Sequence, residues 1–150
     1  MPTTLLLALL ALASGALIPV QAASNAALAR TVHDNVPFAA MTLFFVAFVV
    51  AAVVLLLSHK GVPAMAELQQ APWWSYSGGP IVAFYVLTIT FLAPRLGVGN
   101  AIALIVAGQV LAALAIDHFG LLRSIVFPLT PTRLLGGALM IVGVFLALRR

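Results

Sequence analysis

The sequence predicts an all-α polytopic membrane protein with five transmembrane helices, and three observations carry that expectation. Apolar residues make up 64% of the chain and charged ones only 7%, with a mean hydropathy of +1.22, far above what soluble domains show. Five apolar stretches, residues 5–29, 38–57, 73–93, 98–117 and 132–148, each come close to the length that crosses a hydrocarbon core of ~30 Å at about 1.5 Å per residue. The basic residues fall at the ends of these stretches and not within them. At 150 residues the chain reads as a single transmembrane domain, residues 1–150.

The first stretch admits two readings. Its apolar run from Leu5 and the small residues around Val20-Gln21-Ala22-Ala23 resemble a secretory signal, but no Lys or Arg precedes the run, as a signal normally requires. The apolar pattern also continues past Gln21 to Leu28, which favours a retained helix. Pro19 inside it removes one backbone donor and marks a bend. Ser14, Ile18, Gln21 and Asn25 share one face, so the Gln21 and Asn25 amides, about one turn apart, are candidates for binding a ligand's polar groups. A plain helix–helix contact is the alternative.

Residues 38–57 carry Thr42 alone among hydroxyls and amides, and read as scaffold with a small pair, Ala47 and Ala51, for close packing. The polar segment 59–72 has room for a short surface helix starting near Pro63 and ending before Pro72. Trp73 and Trp74 follow at the membrane edge, where tryptophans act as interfacial anchors more often than as ligand cages. On helical spacing, Trp74, Ser77, Ile81, Tyr85 and Thr88 form one stripe of the third span, with Gly78-Gly79-Pro80 interrupting its first half. The mid-depth Tyr85 hydroxyl needs a partner, either a ligand or a neighbouring backbone.

Pro94-Arg95-Leu96-Gly97 reads as a tight turn into the fourth span, of which residues 98–116 hold no charge. Gln109 near its middle needs hydrogen-bond partners that lipid does not offer. It shares a face with Ala113 and Asp117. Gln109 is therefore a candidate cavity residue, or else interhelical glue. Asp117 and His118, at the end of the span, are candidates for a coupling role or for an interfacial cap. Residues 119–132 are apolar but too short to span, with Arg123 placed to reach headgroups. In the last span Gly136 and Gly143 would allow another helix close approach.

The chain has no cysteine, and His33, His59 and His118 lie in separate connections without ligand spacing, so no metal and no cofactor is expected. No basic run points to nucleic acid. Five spans put the termini on opposite sides of the membrane. Of the seven basic residues, Lys60, Arg123 and Arg133 then lie on the amino-terminal side, and Arg30, Arg95, Arg149 and Arg150 on the other. The positive-inside rule needs a clear excess, and three against four is nearly none. Two oppositely inserted copies would form in trans the inverted repeat that many transporters carry within one chain.

Several motifs together resemble the five-span YdcZ family of the drug/metabolite transporter superfamily. They are Pro19-Val-Gln21-Ala-Ala-Ser-Asn25-Ala-Ala-Leu28, Pro72-Trp73-Trp74 with Gly78-Gly79, Pro94-Arg95-Leu96-Gly97, and Gly108-Gln109 leading to Ile116-Asp117-His118-Phe119-Gly120, the most specific of the set. Pro80 and His33-Asp34-Asn35 depart from the family pattern. The resemblance implies a multi-pass protein of the bacterial inner membrane, half of a ten-helix transporter-like fold completed by pairing with a second chain.

Two function classes follow. One is a secondary transporter or exporter of a small metabolite or amphipathic compound, acting by alternating access in an antiparallel homodimer or beside a homologous chain. Gln21, Asn25, Tyr85 and Gln109 would line its cavity and Trp74 would close it, with membrane lipid around the pair. No Asp, Glu or Lys lies deep in a span, which argues against a central proton-trading carboxylate. The alternative is a non-transporting subunit that stabilises or regulates a partner membrane protein. An enzyme is not expected, since no nucleophile stands with a base or a metal set.

Overall fold

The computed structural model describes residues 2–58 and 61–148. His59, Lys60, Arg149 and Arg150, used in the charge count and the histidine reading, lie outside the described residues. Five helices are long and apolar enough to cross a membrane: Thr3–Thr31, Val36–Leu57, Trp73–Leu96, Val98–Phe119 and Pro131–Leu148. The chain divides into two compact units, Met1–Pro94 and Arg95–Arg150.

In the first unit, α1 (Pro2–Thr31) and α2 (Val36–Leu57) pack as neighbours. Hydrogen bonding in α1 stays helical through Pro19, whose missing N–H leaves the Gly15 carbonyl without its intrahelical donor. Ala22, Ala26 and Ala29 on one face of α1 are buried, as are Ala39 and Ala40 at the start of α2. In lipid, apolar transfer offers little drive for helix association, so close approach of small side chains supplies the contact. Ala47 and Ala51 stay exposed. The buried small residues instead run from Ala22 to Ala29 on α1 and sit at Ala39 and Ala40 on α2.

That connection turns on His33 and Asp34, both at positive φ (60° and 57°), a conformation His, Asn and Asp visit more readily than other side chains. Asn35 then caps α2, its Oδ1 accepting from the Phe38 N–H at 3.0 Å. Beyond α2 comes α3 (Met65–Gln69), the short helix expected after Pro63. Its Glu67 carboxylate reaches back to accept from the Ala64 N–H at 2.9 Å. Trp73–Ser77 forms a 3-10 helix, tied to α3 by the Tyr76 hydroxyl donating to the Leu68 carbonyl at 2.7 Å. α4 (Gly78–Leu96) follows. Gly78-Gly79-Pro80 is thus the first turn of a helix, where a missing proline N–H costs nothing, and not an interruption within one.

In the second unit, Gly97 at φ +84° is the break after Leu96, and α5 (Val98–Phe119) begins at once. Helix α4 runs through Pro94 to Leu96, so the turn is this one glycine. Asn100 Nδ2 donates to the Leu96 carbonyl at 3.0 Å across it. A 3-10 turn, Leu121–Arg123, and an extended stretch lead to α6 (Pro131–Leu148), which packs on α5. The close approach falls at Gly137, which is buried and where an added Cβ would lie 3.1 Å from Leu114 Cδ1. Gly136 and Gly143 would meet nothing within 4 Å. The neighbouring helix meets the adjacent face, one residue along.

Candidate functional site

In the first unit, a groove of about 460 Å³ is lined from α1 and α2. Its polar groups are Gln21, Ser24, Asn25 and Thr42, set among apolar walls that include Leu43 and Val46. Residues 21, 24, 25 and 28 step along one face of α1 at helical spacing, which is why the two amides open onto one groove. Gln21 Nε2 is buried and has no hydrogen-bond partner among the described residues. An amide donor left in this state costs about 1–3 kcal/mol, so it marks a place where a partner is missing.

Asn25 is differently placed. It is only 4% exposed, and its Nδ2 donates to Thr90 Oγ1 of α4 at 2.6 Å, with Thr90 1% exposed. This bond joins α1 to α4 across 65 residues of sequence. Asn25 therefore both lines the groove, with its carbonyl oxygen left over, and holds two helices together. Thr42 belongs to the same wall, its hydroxyl donating to the Phe38 carbonyl at 3.0 Å and keeping lone pairs to offer.

Trp74 and Tyr85 are half-buried and lie outside the lining of this groove. Trp74 and Ser77 belong to the 3-10 helix, whose turn of roughly 120° per residue differs from the roughly 100° of the α-helix that carries Ile81, Tyr85 and Thr88. Trp73, by contrast, is 83% exposed, as an interfacial anchor would be. The Tyr85 hydroxyl makes no hydrogen bond among the described residues, to backbone or otherwise.

In the second unit, Gln109 sits at the middle of α5, exposed, with its amide unpartnered among the described residues. Ala113, one turn on, is exposed on the same face. Asp117 and His118 do something else. Arg133 Nη2 donates to Asp117 Oδ2 at 2.6 Å, and Nη1 donates to the Phe127 carbonyl at 2.9 Å. The guanidinium also lies 6.0 Å from the centre of the Phe127 ring. His118 Nδ1 accepts from the Leu129 N–H at 3.2 Å, the Asp117 carbonyl accepts from the Phe127 N–H at 2.9 Å, and the Ser124 hydroxyl donates to the Ile116 carbonyl at 3.2 Å. These contacts fold residues 124–130 back onto the end of α5.

The glycine of this motif is required twice over. Gly120 ends α5 at φ +59°, and a Cβ there would lie 2.7 Å from Val126 Cγ2. Ile116-Asp117-His118-Phe119-Gly120 is thus a structural knot between α5 and α6, with a shallow recess of about 510 Å³ beside Asp117 and Arg133.

Of the sequence-derived candidates, Gln21 and Asn25 come together in one groove, and Asp117 and His118 in one knot. Trp74 and Tyr85 join neither, and Gln109 stands apart on α5. Ser24, Thr42, Thr90 and Arg133 are contributors that the polar stripes passed over. Thr42 carried a signal, being the lone polar side chain of its span. Thr90 lies two residues past Thr88, about 200° round α4 and so on the face opposite the stripe. Among the described residues, no group of three or more His, Cys, Asp or Glu is placed to hold a metal ion.

The sequence profile of the family described as "Putative inner membrane exporter, YdcZ" matches residues 6–146. No curated protein and no solved structure matches the chain. The profile match takes in both units, the α1–α2 groove and the knot at Gly120. The chain is a multi-pass protein of the inner membrane, and it belongs to the YdcZ family.

Proposed function

We propose that the chain is one half of a secondary exporter that moves a small metabolite or amphipathic compound by alternating access. The observation that carries this reading is Gln21 Nε2, a buried donor without a partner among the described residues, on the wall of a groove of about 460 Å³. That volume is in the range of small-molecule sites. The groove is lined from two helices only and is open along one side, so a second chain is needed to enclose a substrate. An odd number of spans and a three-to-four division of basic residues favour an oppositely inserted copy, giving ten helices related by an axis in the membrane plane. Gln21 and Asn25 hold the substrate in this reading, and Trp74, Tyr85 and Gln109 lie outside the lining of the groove. Asp117 and His118 act as the cap that fixes α6 to α5.

Dual insertion is tested on the cysteine-free chain with a single Val62→Cys in the connection after α2, labelled with a membrane-impermeant thiol reagent. Labelling from both sides of the membrane is expected. Labelling from one side alone rules out the antiparallel homodimer. Two added lysines in the same connection should fix one orientation and abolish export, and co-expression with an oppositely biased variant should restore it.

A further inference from the structure

We infer that the α1–α2 groove takes an uncharged amphipathic molecule, which places a carbonyl, ether or hydroxyl oxygen on Gln21 Nε2 and its apolar part against Leu43 and Val46. The inference names the substrate class of the exporter proposed above and rests on that reading for the transport step.

The chemistry of the lining selects the class. None of the side chains lining the groove is charged, and none is aromatic. A cation would enter with no carboxylate to offset its lost hydration and no ring face to replace one. An anion would find no guanidinium or ammonium, and amide donors alone do not compensate a buried negative charge. A neutral molecule avoids both costs.

The donor inventory then fixes which end of the molecule goes where. Asn25 Nδ2 is engaged by Thr90 Oγ1, and the Thr42 hydroxyl is engaged by the Phe38 carbonyl. Gln21 Nε2 is the buried donor left over. Beside it stand the Ser24 hydroxyl, which can donate or accept, and acceptor capacity on the Asn25 carbonyl and the Thr42 oxygen, so a ligand donor is tolerated and a ligand acceptor finds its buried partner in Gln21 Nε2. The groove's size, about 460 Å³, limits the molecule to a small one.

Binding is measured on the full-length protein in lipid nanodiscs with four probes of similar bulk: N,N-diethylbenzamide, benzyltrimethylammonium, benzoate and tert-butylbenzene. The amide should bind, with each of the other three at least roughly tenfold weaker, the scale of one well-made hydrogen bond. Gln21→Leu should weaken the amide by about tenfold, and Gln21→Met serves if the leucine variant does not fold. Gln21→Glu should turn the preference toward benzyltrimethylammonium. Equal binding of either ion, or of tert-butylbenzene, overturns the inference, as does an amide affinity unchanged in the Gln21 variants. Absent amide binding together with quantitative cross-linking of two copies through Val46→Cys also overturns it, because the groove is then filled by a second chain. Proteoliposomes separate this claim from the exporter reading. An amide that binds through Gln21 but is not moved sinks the exporter reading alone. An ion exported equally well by the wild type and the Gln21 variants sinks the substrate class alone.

Discussion

Thr90→Val keeps the shape of the side chain and removes the oxygen to which Asn25 Nδ2 donates at 2.6 Å. Both residues are buried, Asn25 at 4% and Thr90 at 1% exposure, so water does not replace the lost acceptor. An unsatisfied buried amide costs about 1–3 kcal/mol, while interhelical hydrogen bonds in membranes couple by only ~0.6 kcal/mol on average and ~1.7 kcal/mol at most. Thr90→Val should therefore destabilise by about 1–2 kcal/mol. Asn25→Leu should cost less, because the Thr90 hydroxyl left behind can turn to the Val86 carbonyl one turn earlier in α4. The double variant should fall short of the sum by roughly 1 kcal/mol, with no unpaired polar group remaining. The assay is equilibrium unfolding of the reconstituted protein by added denaturing detergent, followed by the fluorescence of Trp73 and Trp74. Costs that add within about 0.3 kcal/mol would show that the bond does not hold α1 to α4. A Thr90→Val variant as stable as the parent would show the same.

Two substitutions test the knot. Gly120→Ala meets a positive φ and a contact of 2.7 Å with Val126 at once, so it should cost at least about 1–2 kcal/mol in unfolding. Adding Val126→Ala should return only the part due to the contact. Asp117→Asn breaks an ion pair whose partners are each about one-third exposed, so its cost should stay below about 1 kcal/mol and export should persist. Lost export at unchanged stability would make Asp117 a coupling residue instead of a cap.

The helix ends have chemistry of their own, although apolar length alone placed them from the sequence. Asn35 before an apolar run, Pro131 at the head of α6 and Gly120 after Phe119 each satisfy or release backbone groups in a way few residues can. The pairing of Gln21 with Asn25 was legible, since both depend only on the helical period. Thr90 and Arg133 were not. Each acquires its role from a residue at the same depth on another helix, 65 and 16 positions away, and nothing in the local pattern of either marks that partner. The change from 3-10 to α geometry at Gly78 is likewise invisible in spacing alone, although over Trp74–Ser77 it shifts the angular phase of the third span by only about 60°.

Composition and length by themselves determined that this chain has five helices able to cross a membrane. A bilayer core leaves an apolar segment of this length one way to satisfy its backbone, the helix. Which faces meet was decided only by tertiary structure. In a soluble protein the buried face is the apolar one and its period can be read. Here lipid and a neighbouring helix present nearly the same chemistry, so every face is apolar and the hydropathy pattern is nearly silent about contact. Burial falls at Ala22, Ala26 and Gly137, and not at Ala51, Gly136 or Gly143, because only the first three face a neighbouring helix of the fold.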